Sequence, residues 1–300
     1  MKPGPARILF VTGKGGTGKS FLSRALARAA ALRGMATALV HTRPETASPA
    51  GAVPSAGNAP AGNGSARAVP YQEVELDERE ALETFLVRIL RLGFVARRLL
   101  DSRTFSAVAA AAPGVSDLVR LLGITALSRT EKGLELVVVD APATGHSLPL
   151  LTSPWRILEL TPLGPVAREA RMAQAILDNP GRFVPVILTT PEELAVTETL
   201  SLVEQLRRAG IAPARVVVNG LWPVHLQARD ADWLLASNAS TDALLHWKRA
   251  RRQGELVDIL EARVGPCPGL PFAFTEGEVA SAEIGALLSD LLGETPRARR

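Results

Sequence analysis

The chain has 300 residues and a mass of 31.8 kDa, enough for one large α/β domain or two modest ones, and needs no disulfide to stay folded. One cysteine, Cys267, and four histidines without metal-ligand spacing exclude a disulfide framework and a structural zinc site. The formal charge of +4 rests on 29 arginines and five lysines, but aromatics are only 4%, too few to interleave with a basic stripe as a nucleic-acid reader requires.

No apolar run approaches the roughly 20 residues that span a bilayer, and residues 1–7 carry no apolar signal-peptide core. The expectation is a soluble, cytoplasmic protein with no nucleic-acid partner. Its basic surface suits at most a peripheral membrane partner.

Residues 7–11 read as an apolar strand, and a helix is expected over 20–33, stopped by Gly34. Between them stands Gly13-Lys14-Gly15-Gly16-Thr17-Gly18-Lys19-Ser20, which matches G-x-x-x-x-G-K-[ST] in the strand–loop–helix context it requires. The spacing has a physical cause. Glycines let backbone N–H groups close around phosphate oxygens without a Cβ in the way, and the helix N-terminus adds positive potential. Lys19 would reach the β- and γ-phosphates, Ser20 would hold Mg²⁺, and the backbone through Phe21 completes the cradle. The expected cofactors are ATP and Mg²⁺.

A second strand is expected over 36–41. Residues 46–69 are almost entirely Ala, Gly, Pro, Ser and Asn, a composition that cannot bury enough surface to offset its ordering entropy. They read as a flexible loop inside a single domain spanning 1–300, because strand–helix alternation resumes after them. Residues 77–132 read as a helical subdomain within that domain. Phe85, Leu86, Ile89, Leu90, Phe94, Leu99 and Leu100 could line a groove there, but a helix buried in the core has the same spacing, and core is the favoured reading.

A strand over 134–140 ends at Asp140, where a carboxylate must sit to hold a Mg²⁺-bound water. The next strand, 182–189, leads into a helix with Thr190 as cap, Pro191 at its first position and Glu192 and Glu193 in its first turn, running to about Arg208. A strand over 215–219, a helix over 241–264 and a strand near 270–274 complete the pattern. Lys248-Arg249-Ala250-Arg251-Arg252 reads as a solvated helix face. Apolar strands alternating with helices predict an α/β fold, a doubly wound and mainly parallel sheet covered on both faces.

Lys14 turns the loop into K-G-G-x-G-K-S, which resembles the deviant Walker A of the MinD/ParA and arsenite-pump class of P-loop ATPases. In that class the extra lysine crosses a dimer interface, so the resemblance implies catalytic roles for Lys14, Lys19 and Asp140 in a nucleotide-sandwich homodimer or heterodimer. A solvated loop lysine is the plain alternative for Lys14. Asp140-Ala141-Pro142-Ala143-Thr144-Gly145-His146-Ser147-Leu148 is similar to switch II (D-T-A-P-T-G-H-T-L) of the arsenite-pump and tail-anchored-protein-targeting ATPases. Thr144 to Ser147 would be the part that changes shape, and for His146 a helix-entry role and direct catalysis stand equal. Val216-Val217-Val218-Asn219 resembles the family's V-V-N segment, which implies that Asn219 helps read adenine. Ala112-Pro113-Gly114-Val115 and residues 188–206 are weaker matches.

Switch I departs from the pattern. The family's T-D-P-A-H-S is here Thr42-Arg43-Pro44-Glu45-Thr46, so Arg43 stands where an aspartate orients the attacking water. A guanidinium cannot act as a general base, and Glu45 is the nearest replacement carboxylate. One cysteine cannot build a three-thiolate arsenite sensor. Three methionines and no C-x-x-C do not fit a zinc-bridged, Met-rich client groove. The resemblance implies an ATP-binding dimeric switch with weak hydrolysis, coupling nucleotide state to an unknown protein client. The alternative is a non-hydrolysing subunit paired with an active related ATPase. A DNA-partition ATPase is a third reading, against which the D-A-P-A-T-G-H segment counts.

Overall fold

The computed structural model describes residues 6–42, 71–76, 78–90, 114–130, 133–211, 214–222, 241–271 and 281–294. The 46–69 stretch, Arg43 and Glu45, Asp77, residues 91–113 and Lys132 lie outside them.

Seven strands form one parallel sheet: β1 (Arg7–Gly13), β2 (Thr37–His41), β3 (Gln72–Glu75), β4 (Leu136–Ala143), β5 (Phe183–Thr189), β6 (Arg215–Leu221) and β7 (Gly269–Pro271). Their order is β3-β2-β4-β1-β5-β6-β7, with β1 paired to β4 on one side and β5 on the other. Eight helices occur among the described residues: α1 (Lys19–Leu32), α2 (Glu78–Leu90), α3 (Val115–Thr130), α4 (Thr144–Leu160), α5 (Pro165–Leu177), α6 (Glu193–Arg208), α7 (Thr241–Val264) and α8 (Ser281–Leu292). None is long and apolar enough to cross a membrane.

The sheet is apolar on both faces because both are covered. Leu9, Val11, Leu39, Val138, Val186 and Val217 pack under α1 and α8. Ile8, Phe10, Val40, Val139, Phe183 and Val218 face α2 to α7. Ile8 through Val11 are fully buried, and each such side chain stabilises the fold by about 1.5–3 kcal/mol. This is the α/β architecture that the continuous apolar strands predict. Phe85 and Leu86 of α2 are buried in the core, as favoured for that stretch.

Two details differ from expectation, and a third is a helix on which no sequence-based expectation rests. β3 is a seventh strand with charged, mostly exposed residues, so its sequence carries no burial pattern. The helix after β5 starts at Glu193, with Glu192 at its N-cap position but no side-chain cap, and not at Thr190. The Thr190 carbonyl accepts the Glu192 N–H at 2.8 Å, closing a turn before the helix begins. Helix α4 contains Pro149 and Pro154, two residues that ordinarily argue against a helix. The tertiary burial of Leu150, Leu151 and Ile157 outweighs the two missing backbone bonds.

Candidate functional site

The phosphate loop occupies the C-terminal edge of the sheet, where β1 ends between β4 and β5. Gly13 is obligatory there. Its φ is +147°, and a Cβ would lie 2.0 Å from the Leu188 carbonyl oxygen of β5. Gly18, at φ +95°, closes the loop, and a Cβ on it would lie 2.7 Å from Asn219 Nδ2. By contrast, nothing stands within 4 Å of where a Cβ on Gly15 or Gly16 would be. The loop is pinned at both ends and open above.

Inside the loop, the Lys14 carbonyl accepts hydrogen bonds from Lys19 Nζ at 2.8 Å and Thr17 Oγ1 at 2.9 Å. Asn219 Nδ2 donates to the Thr17 carbonyl at 2.8 Å, tying the end of β6 to the loop. The first helical bond of α1 runs from the Leu22 N–H to the Gly18 carbonyl. The amides of Lys19, Ser20 and Phe21 therefore project from the helix end, with no acidic residue in the first turn. Burial lowers the Lys19 pKa from its ordinary value, while the charge of Asp140 pulls it partly back.

Asp140 pairs in register with Val11 of β1 and His41 of β2. The Thr42 N–H and Thr42 Oγ1 both donate to the Asp140 carbonyl, at 3.2 and 2.9 Å. Two residues on, the Pro142 carbonyl accepts from Thr12 Oγ1 at 3.0 Å and lies 3.0 Å from Ser147 Oγ, and the two hydroxyls also bond each other. Thr12 and Ser147 are fully buried, so this knot fixes β4 and the first turn of α4 to β1. His146 is exposed in that turn.

All the loop residues expected from the sequence, Gly13 through Phe21, are thus brought together with Asp140 and Asn219. Lys14 Nζ turns toward α6 and pairs with Glu198 Oε1 at 3.3 Å. Sequence reasoning gave no role to Glu198, His41, Thr42 or Thr12. His41, a histidine at the end of a buried strand, and Thr42, the first residue of the switch I segment, carry a local signal.

The residues fit a magnesium nucleotide. The open glycine arc and the free helix amides suit phosphate. One hydroxyl, Ser20, and one carboxylate, Asp140, suit a hard cation that takes few protein ligands and keeps waters and phosphate oxygens. No cluster of three or more His, Cys, Asp or Glu side chains that could hold a metal occurs among the described residues.

A parallel α/β sheet carrying this loop at its central strand defines a P-loop nucleotide-binding protein. The model of the anion-transporting ATPase family matches residues 6–161, and the chain belongs to that family. It is 28% identical over 243 residues to ATPase BagA of Mycobacterium tuberculosis, covering 75% of this chain and 68% of that protein. It is 26% identical over 242 residues to an arsenical pump-driving ATPase of Escherichia coli, and 27% identical over 242 to one of Acidiphilium multivorum. The chain spans only 41% of the length of those two pump-driving proteins.

Proposed function

We propose that this chain is an ATP-binding dimeric switch that hydrolyses ATP slowly and couples nucleotide state to a protein partner. The observation that carries the reading is the convergence of Lys19, the α1 amides and Asp140 beside the central strand, in a member of an ATPase family.

Lys19 exchanges the Lys14 carbonyl for the β- and γ-phosphate oxygens, and the amides of residues 15–21 take the rest of the polyphosphate charge. Ser20 and Asp140 would hold Mg²⁺, Asp140 through a water, and the ion would supply neutralisation of charge on the phosphates. Lys14 leaves Glu198 and reaches the nucleotide of a second subunit. Asn219 holds the loop through Thr17 and lies beside the base. Thr144 to Ser147 respond to loss of the γ-phosphate, starting from the turn that Thr12 anchors.

Slow turnover follows from Arg43, which replaces the water-orienting aspartate of switch I. Losing that orientation costs about a hundredfold or more in rate. The same substitution favours a second reading, a non-hydrolysing subunit that pairs with a related, active ATPase. Single- and multiple-turnover ATP hydrolysis, with Lys19→Ala and Arg43→Asp alongside, separates the two. Slow turnover that is lost in Lys19→Ala supports the switch. Tight binding without turnover, with activity appearing in Arg43→Asp, supports the partner subunit. Fast turnover abolished by Glu45→Ala would show that Glu45 has replaced the aspartate.

A further inference from the structure

Three adjacent strands each contribute one polar side chain to a cluster on one face of the sheet, near its C-terminal edge. In the parallel register, His41 of β2 stands opposite Asp140 of β4, and Glu73 of β3 stands opposite Leu39, two residues before His41. Alternation along a strand puts His41 on the same face as Leu39, and Asp140 on the same face as Val138. Both of those leucine and valine side chains pack on the α1 side, so the imidazole and the carboxylate leave the sheet toward the helix that starts at Lys19. His41 Nδ1 lies 3.6 Å from Asp140 Oδ2, and Nε2 lies 3.9 Å from Glu73 Oε2. These side chains are sheltered, with exposures of 21% for His41 and 14% for Asp140. Thr42 holds the backbone of the same aspartate with two further bonds.

An aspartate carboxylate rotates freely about its last torsion, which has broad and nearly two-fold minima. A carboxylate that must present one oxygen toward the loop therefore needs its other oxygen held. We propose that His41 is a positioning residue: its ring holds Asp140 Oδ2, braced from behind by Glu73, and so orients the carboxylate toward the magnesium side of the phosphate loop. The inference rests on the proposed role of Asp140 in holding Mg²⁺ through water. Groups that hold a metal-binding carboxylate from behind in this way fix its orientation, and removing them commonly changes metal affinity 10–100-fold. Here the contact is longer than a hydrogen bond, so a smaller effect is expected.

The test is the Mg²⁺ dependence of fluorescent mant-ATP binding at a fixed pH, with melting temperature measured on each variant. Asp140→Asn is expected to raise the half-saturating Mg²⁺ concentration about tenfold or more. His41→Ala should raise it about three- to tenfold, with mant-ATP affinity in EDTA unchanged. His41→Asn, whose amide nitrogen falls near the place of Nδ1, should recover most of that loss, and Glu73→Gln should give a smaller shift in the same direction. An unchanged Mg²⁺ midpoint in His41→Ala, with Asp140→Asn shifted, overturns the role of His41 alone. If Asp140→Asn itself leaves the midpoint unchanged, the role of Asp140 falls and takes this inference with it. Equal losses with and without Mg²⁺, together with a lowered melting temperature, would make His41 a structural residue and also overturn the proposal.

Discussion

Lys14 Nζ is paired with Glu198 Oε1 of the same chain at 3.3 Å, so the lysine that distinguishes this phosphate loop is held in place by α6. The Lys14 backbone is engaged as well, because its carbonyl accepts the Lys19 ammonium.

If Lys14 acts across a dimer, Glu198→Gln removes the competitor for it. The pair is about one-third exposed on each side, so its strength is about 0.2–1 kcal/mol. The variant should form the nucleotide-bound dimer about two- to fivefold more tightly. Sedimentation velocity with a non-hydrolysable ATP analogue and Mg²⁺ measures this. A weaker dimer would mean instead that Glu198 itself belongs to the interface.

Two glycines of one loop should respond in opposite ways. In Gly13→Ala a methyl group meets the Leu188 carbonyl at 2.0 Å in a left-handed conformation, and the clash is with backbone that cannot turn aside. The expected cost is about 3 kcal/mol or more, lowering the melting temperature by about 6–12 °C. Gly15→Ala meets nothing within 4 Å and keeps its φ outside the left-handed region. It should fold normally and lose nucleotide affinity only. Thermal melts paired with mant-ATP titrations separate the two.

Lys19 should make nucleotide binding fail early on the alkaline side. Burial lowers its pKa below the ordinary 10.5, with Asp140 partly offsetting the shift. The ammonium is the form that holds phosphate, so affinity is full below that lowered pKa and declines as pH rises through it. Lys19→Arg keeps its charge over the whole range. It should bind more weakly at neutral pH, because a planar fork replaces a point charge, yet show a flatter alkaline limb. Mant-ATP titrations from pH 7 to 10 report both.

The thiol of Cys267 is pushed up to about 11 by burial, and secondarily by the charge of Glu261. At pH 8 the folded protein should react with thiol reagents only on the unfolding timescale. The sign for stability follows from the same shift. The unfolded thiol loses its proton near 9.0 and the folded one near 11, so stability falls as pH rises through that window. Cys267→Ala should remove this part of the alkaline decline in denaturant unfolding experiments.

The parts of the site that are legible in the sequence are those with local causes. The glycine spacing of residues 13–18 answers to a backbone that must wrap an anion, and Asp140 closes the unbroken apolar run of a strand that continues to Ala143. Six of the seven strands follow from β-branched or apolar runs, the last of them, Gly269–Pro271, only from a short apolar stretch near 270–274. β3 does not, because a short, charged edge strand resembles a loop in composition. The start of α6 was displaced by a turn that Thr190 closes through its backbone, which residue identity does not disclose. Glu198 and His41 become visible only when a helix and a neighbouring strand are brought beside the loop, since no periodicity encodes a contact 184 residues or 99 residues apart.

The strand order gives the site a graded resistance to local opening. β1 is hydrogen-bonded along both edges, whereas β3 contributes four residues and, among the described residues, pairs with β2 on one side only. In native-state amide exchange, β3 should release its protons through small local fluctuations, and β1 only through global unfolding. A transient fraying of β3 would withdraw Glu73 from His41 while Gly13 to Ser20 stayed in their cradle. The molecule is built to lose the refinement of its site, from the rim inward, long before it loses the place where phosphate binds.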